Sequence, residues 1–157
     1  MKHHRFIILI GIFHLGFPLK SSATEDAQCL QQAQTQLAMN SCQHLEFAQA
    51  DAELNRVYRQ IQQLYQDDPT FLAKLKQSQR AWIKQRDADL AMRFPAEDTA
   101  FSDGSAYPMC YATVAKDLTF QRIVFLKQWL NGIEEGDICS GSIKTPAQIT
   151  EALQSKK

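Results

Sequence analysis

Residues 35–65 contain neither glycine nor proline, and that run commits the chain to a long helix. Leu54, Val57, Tyr58, Ile61, Leu64 and Tyr65 fall at offsets 0, 3, 4, 7, 10 and 11, which is one apolar face of an α-helix. The first half of the run is thinner, with Leu37, Leu45, Ala48 and Ala52 as the expected stripe. Gln66-Asp67-Asp68-Pro69-Thr70 breaks it. Asp68 can cap a following helix and Pro69 suits its first turn. That second helix is predicted from about Thr70 to Arg93, with Leu72, Leu75, Gln79, Trp82, Arg86 and Leu90 on one face. So short a break predicts an antiparallel αα-hairpin. A third helix is predicted from about Pro108 to Leu130, offering Val114, Leu118, Ile123, Val124, Leu126 and Trp129 for burial and stopped by Asn131-Gly132. Thr145-Pro146-Ala147-Gln148 is a capping box with proline at the first helical position, opening a short helix to about Gln154. No β alternation of useful length and no internal repeat interrupts this pattern. The fold class is all-α: a small bundle of three main helices and a short C-terminal helix.

The N-terminus is different in kind. Lys2, His3, His4 and Arg5 precede an apolar run from Phe6 to Phe17, Pro18 breaks it, and Ser21-Ser22-Ala23 supplies small residues. This is the tripartite pattern of a cleaved secretory signal over 1–23. The run is too short for a membrane span of about 20 residues. Asp26-Ala27-Gln28 before Cys29 is no lipidation motif. The expected product is one helical domain over 24–157, in the periplasm or secreted, with no stable membrane insertion after cleavage. The whole chain carries 17 basic and 17 acidic residues; losing Lys2, Arg5 and Lys20 leaves 14 against 17. A mildly acidic product has no electrostatic case for nucleic acid. His3, His4 and His14 would also go, leaving His44 as the single histidine. That excludes a multi-histidine metal site and leaves no catalytic set, so neither a metal nor another cofactor is expected. Cys29, Cys42, Cys110 and Cys139 remain. An even count in an exported small domain predicts two disulfides, whereas a zinc site would want C-x-x-C spacing. Four cysteines allow three connectivities, and spacing alone does not choose.

The polar residues suggest a scaffold more than a reaction centre. Counting the first two helices antiparallel from the turn near residue 68 brings Asp51 level with Arg86. The expectation is an Asp51–Arg86 ion pair with Asn55 and Gln79 as hydrogen-bonding partners, a structural network fixing helix register. Glu53 and Asp51 are two apart on one helix and point in different directions, so they do not form a glycosidase-like acid pair. Tyr58 and Tyr65 belong to the apolar stripe. Phe94 to Tyr107 is a loop, and Glu97, Asp98, Phe101, Asp103, Gly104, Ser105 and Tyr107 make it the candidate partner-binding surface.

Several motifs then occur in a recognisable order: Met39-Asn40-Ser41-Cys42; Asp51-Ala52-Glu53-Leu54-Asn55 with Tyr58; Ser78-Gln79-Arg80-Ala81-Trp82; Arg86-Asp87; Gly104-Ser105 and Cys110; and Leu118-Thr119 with Arg122. Over roughly Cys29 to Leu126 the chain resembles the LprI-type lysozyme inhibitor N-terminal domain family, with 131–157 as a C-terminal extension. Members commonly carry a cysteine shortly after the Arg-Asp pair, where this chain has Leu90; Cys139 lies beyond the usual end of the motif. Parity then favours Cys29–Cys42 with Cys110–Cys139. Helix length argues against the second pair, since about 20 residues of helix carry the chain roughly 30 Å away. Cys42–Cys110 remains the competing pairing. The resemblance implies a module that acts by binding, with lysozyme as its partner. Animal-type lysozymes are strongly basic, so the acidic loop offers complementary steering. The alternative partner is another envelope protein, for which the chain would be an interaction or scaffold module without lysozyme inhibition.

Overall fold

The computed structural model describes residues 28–95 and 105–155. The expected signal at 1–23 and the loop residues Glu97, Asp98, Phe101, Asp103 and Gly104 lie outside the described residues. A short helical turn at 28–32 precedes four helices. Helix α1, Gln36–Leu64, starts where the Thr35 hydroxyl accepts the Ala38 N–H. Helix α2, Pro69–Arg93, starts at the Asp68 carboxylate, which accepts the Phe71 N–H at 2.8 Å. Helix α3, Tyr107–Asn131, stops at Gly132, whose φ of 81° no longer continues a helix. Helix α4, Pro146–Gln154, carries both halves of the Thr145/Gln148 capping box. Each cap satisfies an N–H that the helix itself leaves unpaired. Among the described residues every regular element is helical.

The three long helices run up, down and up. α1 and α3 are parallel and pack most intimately, in a register offset of about 70: Gln43 meets Thr113 and Glu46 meets Lys116. α2 runs antiparallel to α3, level where residue numbers add to about 200: Gln79 with Arg122, Phe71 with Trp129, Phe94 with Tyr107. The core joins Leu54, Val57, Ile61, Leu64 and Tyr65 of α1 and the residue after it to Leu75, Ile123 and Leu126. Burying each such aliphatic side chain is worth about 1.5–3 kcal/mol over leaving it in water. The stripe expected on the second half of α1 is this core, with Tyr58 packed at its edge.

The first half of α1 corrects the sequence expectation. Leu37 and Leu45 are 75% and 59% exposed, and Ala48 and Ala52 are exposed too; Cys42, Gln43 and Ala50 take the inward positions. The apolar residues were too few to define the face. What fixes it is polar pairing with α3: Gln43 with the Thr113 hydroxyl at 2.9 Å, and Glu46 with Lys116 at 2.6 Å. On α3, Val124 is exposed because its neighbour Ile123 holds the inward position.

The C-terminal extension docks on the turn end of the bundle. The Tyr65 hydroxyl accepts the Lys144 N–H at 3.1 Å and lies 3.4 Å from the Trp129 carbonyl. Trp129 Nε1 donates to Ser142 Oγ at 3.0 Å, and Ile149 and Ala152 of α4 pack on the core. Burial pushes the Tyr65 phenol above its ordinary pKa, against the opposing pull of the Lys144 amide.

Cys29 and Cys42 are joined, Cα to Cα 5.8 Å, pinning the turn at 28–32 to α1. The expected Cys110–Cys139 bond is absent: both are exposed free thiols. They flank α3 at opposite ends, roughly 30 Å of helix apart, and the chain after α3 folds onto Tyr65 rather than back along the bundle.

Candidate functional site

Two places gather chemistry-bearing residues. The first is the seam between α2 and α3. On α3 the inward face reads Ala112, Ala115, Thr119, Arg122, Ile123 and Leu126, so a cation stands in an apolar stripe. Arg122 is 8% exposed. Its Nε donates to Gln79 Oε1 at 3.0 Å and its Nη2 to Ser78 Oγ at 2.9 Å. Its guanidinium lies 5.8 Å from the Trp82 ring centre and 5.1 Å from that of Phe125. Desolvation lowers its pKa.

Arg122, rather than Arg86, is therefore the arginine that ties the bundle together. The expected Asp51–Arg86 pair does not form. Arg86 binds the neighbouring Asp87 at 2.8 Å and stacks 5.2 Å from the Trp82 ring centre. Asp51 accepts instead from Asn55 Nδ2 at 3.0 Å on its own helix. Gln79 does serve an arginine, on α3. Register counted from the turn failed because α2 packs against α3 more closely than against α1. The missed signal was positional: Arg122 follows Thr119 by three residues and precedes Leu126 by four, on the buried stripe of α3.

Glu53 sits apart from this seam. Arg56 holds it at 2.6 Å and Lys127 at 3.0 Å. The Arg56 hydrogen bond does most to depress its pKa from 4.5 to about 2; Lys127 adds to this and partial burial opposes it. A general acid needs a raised pKa, so this carboxylate is prepared for the opposite condition.

The second place is the far end of the bundle, where 96–104 leaves and returns. Phe94 packs edge-on against Tyr107 with ring centres 5.4 Å apart, and lies 5.4 Å from Tyr111. Asn40 Nδ2 donates to the Ser105 carbonyl at 2.9 Å, tying the returning strand of chain to α1. His44, Phe47, Tyr107, Pro108 and Tyr111 line an apolar hollow of about 360 Å³ there. The Cys29–Cys42 bond braces the same end. Of the residues expected to bind a partner, Ser105 and Tyr107 are thus fixed footings.

The family model for lysozyme inhibitor LprI matches residues 27–126. That span takes in the disulfide, the Arg122 seam and both footings of 96–104. An uncharacterised protein of Rhizobium meliloti (strain 1021) is 32% identical over 114 residues, covering 65% of this chain and 78% of that protein. No solved structure matches. Matched over most of its length, the chain belongs to the lysozyme inhibitor LprI family.

Proposed function

We propose that this is an exported protein that inhibits lysozyme by direct contact and has no catalytic activity of its own. The family match over 27–126 carries the reading. The N-terminal signal pattern and the Cys29–Cys42 bond favour an oxidising compartment outside the cytoplasm. No described helix is long and apolar enough to cross a membrane.

The contact surface in this proposal is the aromatic end of the bundle together with Glu97, Asp98, Phe101, Asp103, Gly104, Ser105 and Tyr107. Rigid helices holding both ends of a short acidic segment suit it to enter a cleft on a basic partner. Charge complementarity there acts mainly on the association rate. The test is Asp103→Lys, measured by surface-immobilised lysozyme binding at low and moderate salt. The expected result is an association rate at least threefold slower at low salt, with the difference narrowing as salt rises. Unchanged binding at both salt concentrations would refute this surface.

A further inference from the structure

We propose that the cleft between α2 and α3 binds a single carboxylate carried on a short apolar stem. Arg122 and Arg86 hold the anion, and Trp82, Leu118 and Phe125 cover the stem. The cleft has a volume of about 280 Å³, the scale of one or two small residues.

Arg122 carries the argument. A buried arginine is normally paired with an acid, yet every partner of Arg122 among the described residues is neutral: Gln79, Ser78, Trp82 and Phe125. Its Nη1 has no hydrogen-bond partner there, and no described buried side-chain nitrogen or oxygen is left unsatisfied. Nη1 therefore opens on the cleft. Arg86 lines the same cleft with its side chain 16% exposed, and its acid, Asp87, is 58% exposed. Such a surface pair is weak and readily shared. Planar guanidinium donors suit the two oxygens of a carboxylate. Asp89 is the one acid in the lining and is bonded to neither arginine. Its negative charge disfavours a dianion such as phosphate, and the apolar walls favour a carboxylate with a hydrocarbon stem. A peptide C-terminus and an acidic side chain share this chemistry.

The experiment titrates the purified protein with N-acetyl-alanyl-alanine, its C-terminal amide, N-acetyl-glutamate α-amide and inorganic phosphate. Binding is followed at the Arg122 and Arg86 Nε–H signals by NMR. Saturable shifts are expected with one or both carboxylates in the millimolar range, at least tenfold weaker with the alanyl amide and with phosphate. The stronger of the two carboxylates identifies the source. Arg122→Gln should abolish the response; Arg86→Gln, which leaves the Arg122 bonds to Gln79 and Ser78 in place, should weaken binding at least fivefold. The proposal is overturned by no saturable shift with either carboxylate, by an amide or phosphate that binds as well as the acids, or by Arg86→Gln binding within twofold of the parent.

Discussion

Gly132→Ala is the substitution whose cost the structure defines best. Gly132 has φ 81° and ψ 176°, a region essentially reserved for glycine, where another residue is strained by about 1–3 kcal/mol. An added Cβ would stand 2.9 Å from the Lys144 carbonyl oxygen and 3.0 Å from Ile149 Cδ1. The carbonyl cannot swing away freely, because it accepts the Ile133 N–H at 3.1 Å while the N–H of Lys144 is held by Tyr65. Either the strain is borne in place, or the segment after α3 lifts off. Lifting off forfeits the Lys144 N–H bond to the Tyr65 hydroxyl and the Trp129–Ser142 bond, about 1 kcal/mol each, and the half-burial of Ile149 and Ala152, about another 1 kcal/mol. Both routes put the loss at about 2–3 kcal/mol. For a domain of this size that lowers Tm by roughly 8–12 °C. Thermal melts by circular dichroism give the total. Hydrogen exchange at the Ile133 and Lys144 amides tells strain in place from lift-off. A Tm within 2 °C of the parent, with unchanged exchange at both amides, would refute the packing described for this corner.

Arg86→Met should cost under about 1 kcal/mol, since the pair it removes is with Asp87, which is 58% exposed, and Met keeps an apolar stem beside Trp82, whereas Arg122→Ala should cost about 2–4 kcal/mol through lost packing and two charge-assisted bonds; denaturant melts showing the reverse order would restore Arg86 as the structural arginine. Glu53 has its folded pKa depressed from 4.5 to about 2, so its contribution is present above pH 4.5 and is lost as the pH falls from there towards 2. Allowing for solvent screening, Glu53→Gln should cost about 1 kcal/mol at pH 7, shrinking with salt and vanishing near pH 2; a loss independent of pH would contradict the ion-pair account. Cys29→Ser opens a bridge across a sequence separation of 13 and should cost up to roughly 3 kcal/mol. Cys110→Ser and Cys139→Ser should each stay within about 0.5 kcal/mol, and thiol labelling of unreduced protein should modify those two cysteines alone. Equal destabilisation by Cys139→Ser would mean that it is bonded.

Local structure was largely legible because local chemistry decides it. Asp68 and Thr145 cap helices at the positions their sequence context implied, and Gly132 ends α3. The strong stripe from Leu54 to Tyr65 is the core. Where the apolar signal thinned, the reading failed: Leu37 and Leu45 face solvent because Gln43 and Glu46 pair with α3. The expected polar network does not form: Arg86 pairs with Asp87, Asp51 with Asn55, and Gln79 holds Arg122 instead. Helix spacing shows which residues share a face; which helix that face meets depends on tilt and packing across the bundle. The thin α1–α2 contact moved the arginine from Arg86 to Arg122. Cysteine parity likewise counts thiols without regard to distance, so it paired Cys110 with a Cys139 that lies at the opposite end of α3.

The central claim is that the protein binds lysozyme and blocks it. The most direct measurement is the rate at which lysozyme clears a peptidoglycan suspension, followed by turbidity as purified protein is added. The account predicts a saturable fall in the clearing rate, at least tenfold at micromolar molar excess against at least one lysozyme type, with no clearing by the protein alone. An unchanged clearing rate at that excess against every lysozyme type tested would contradict it.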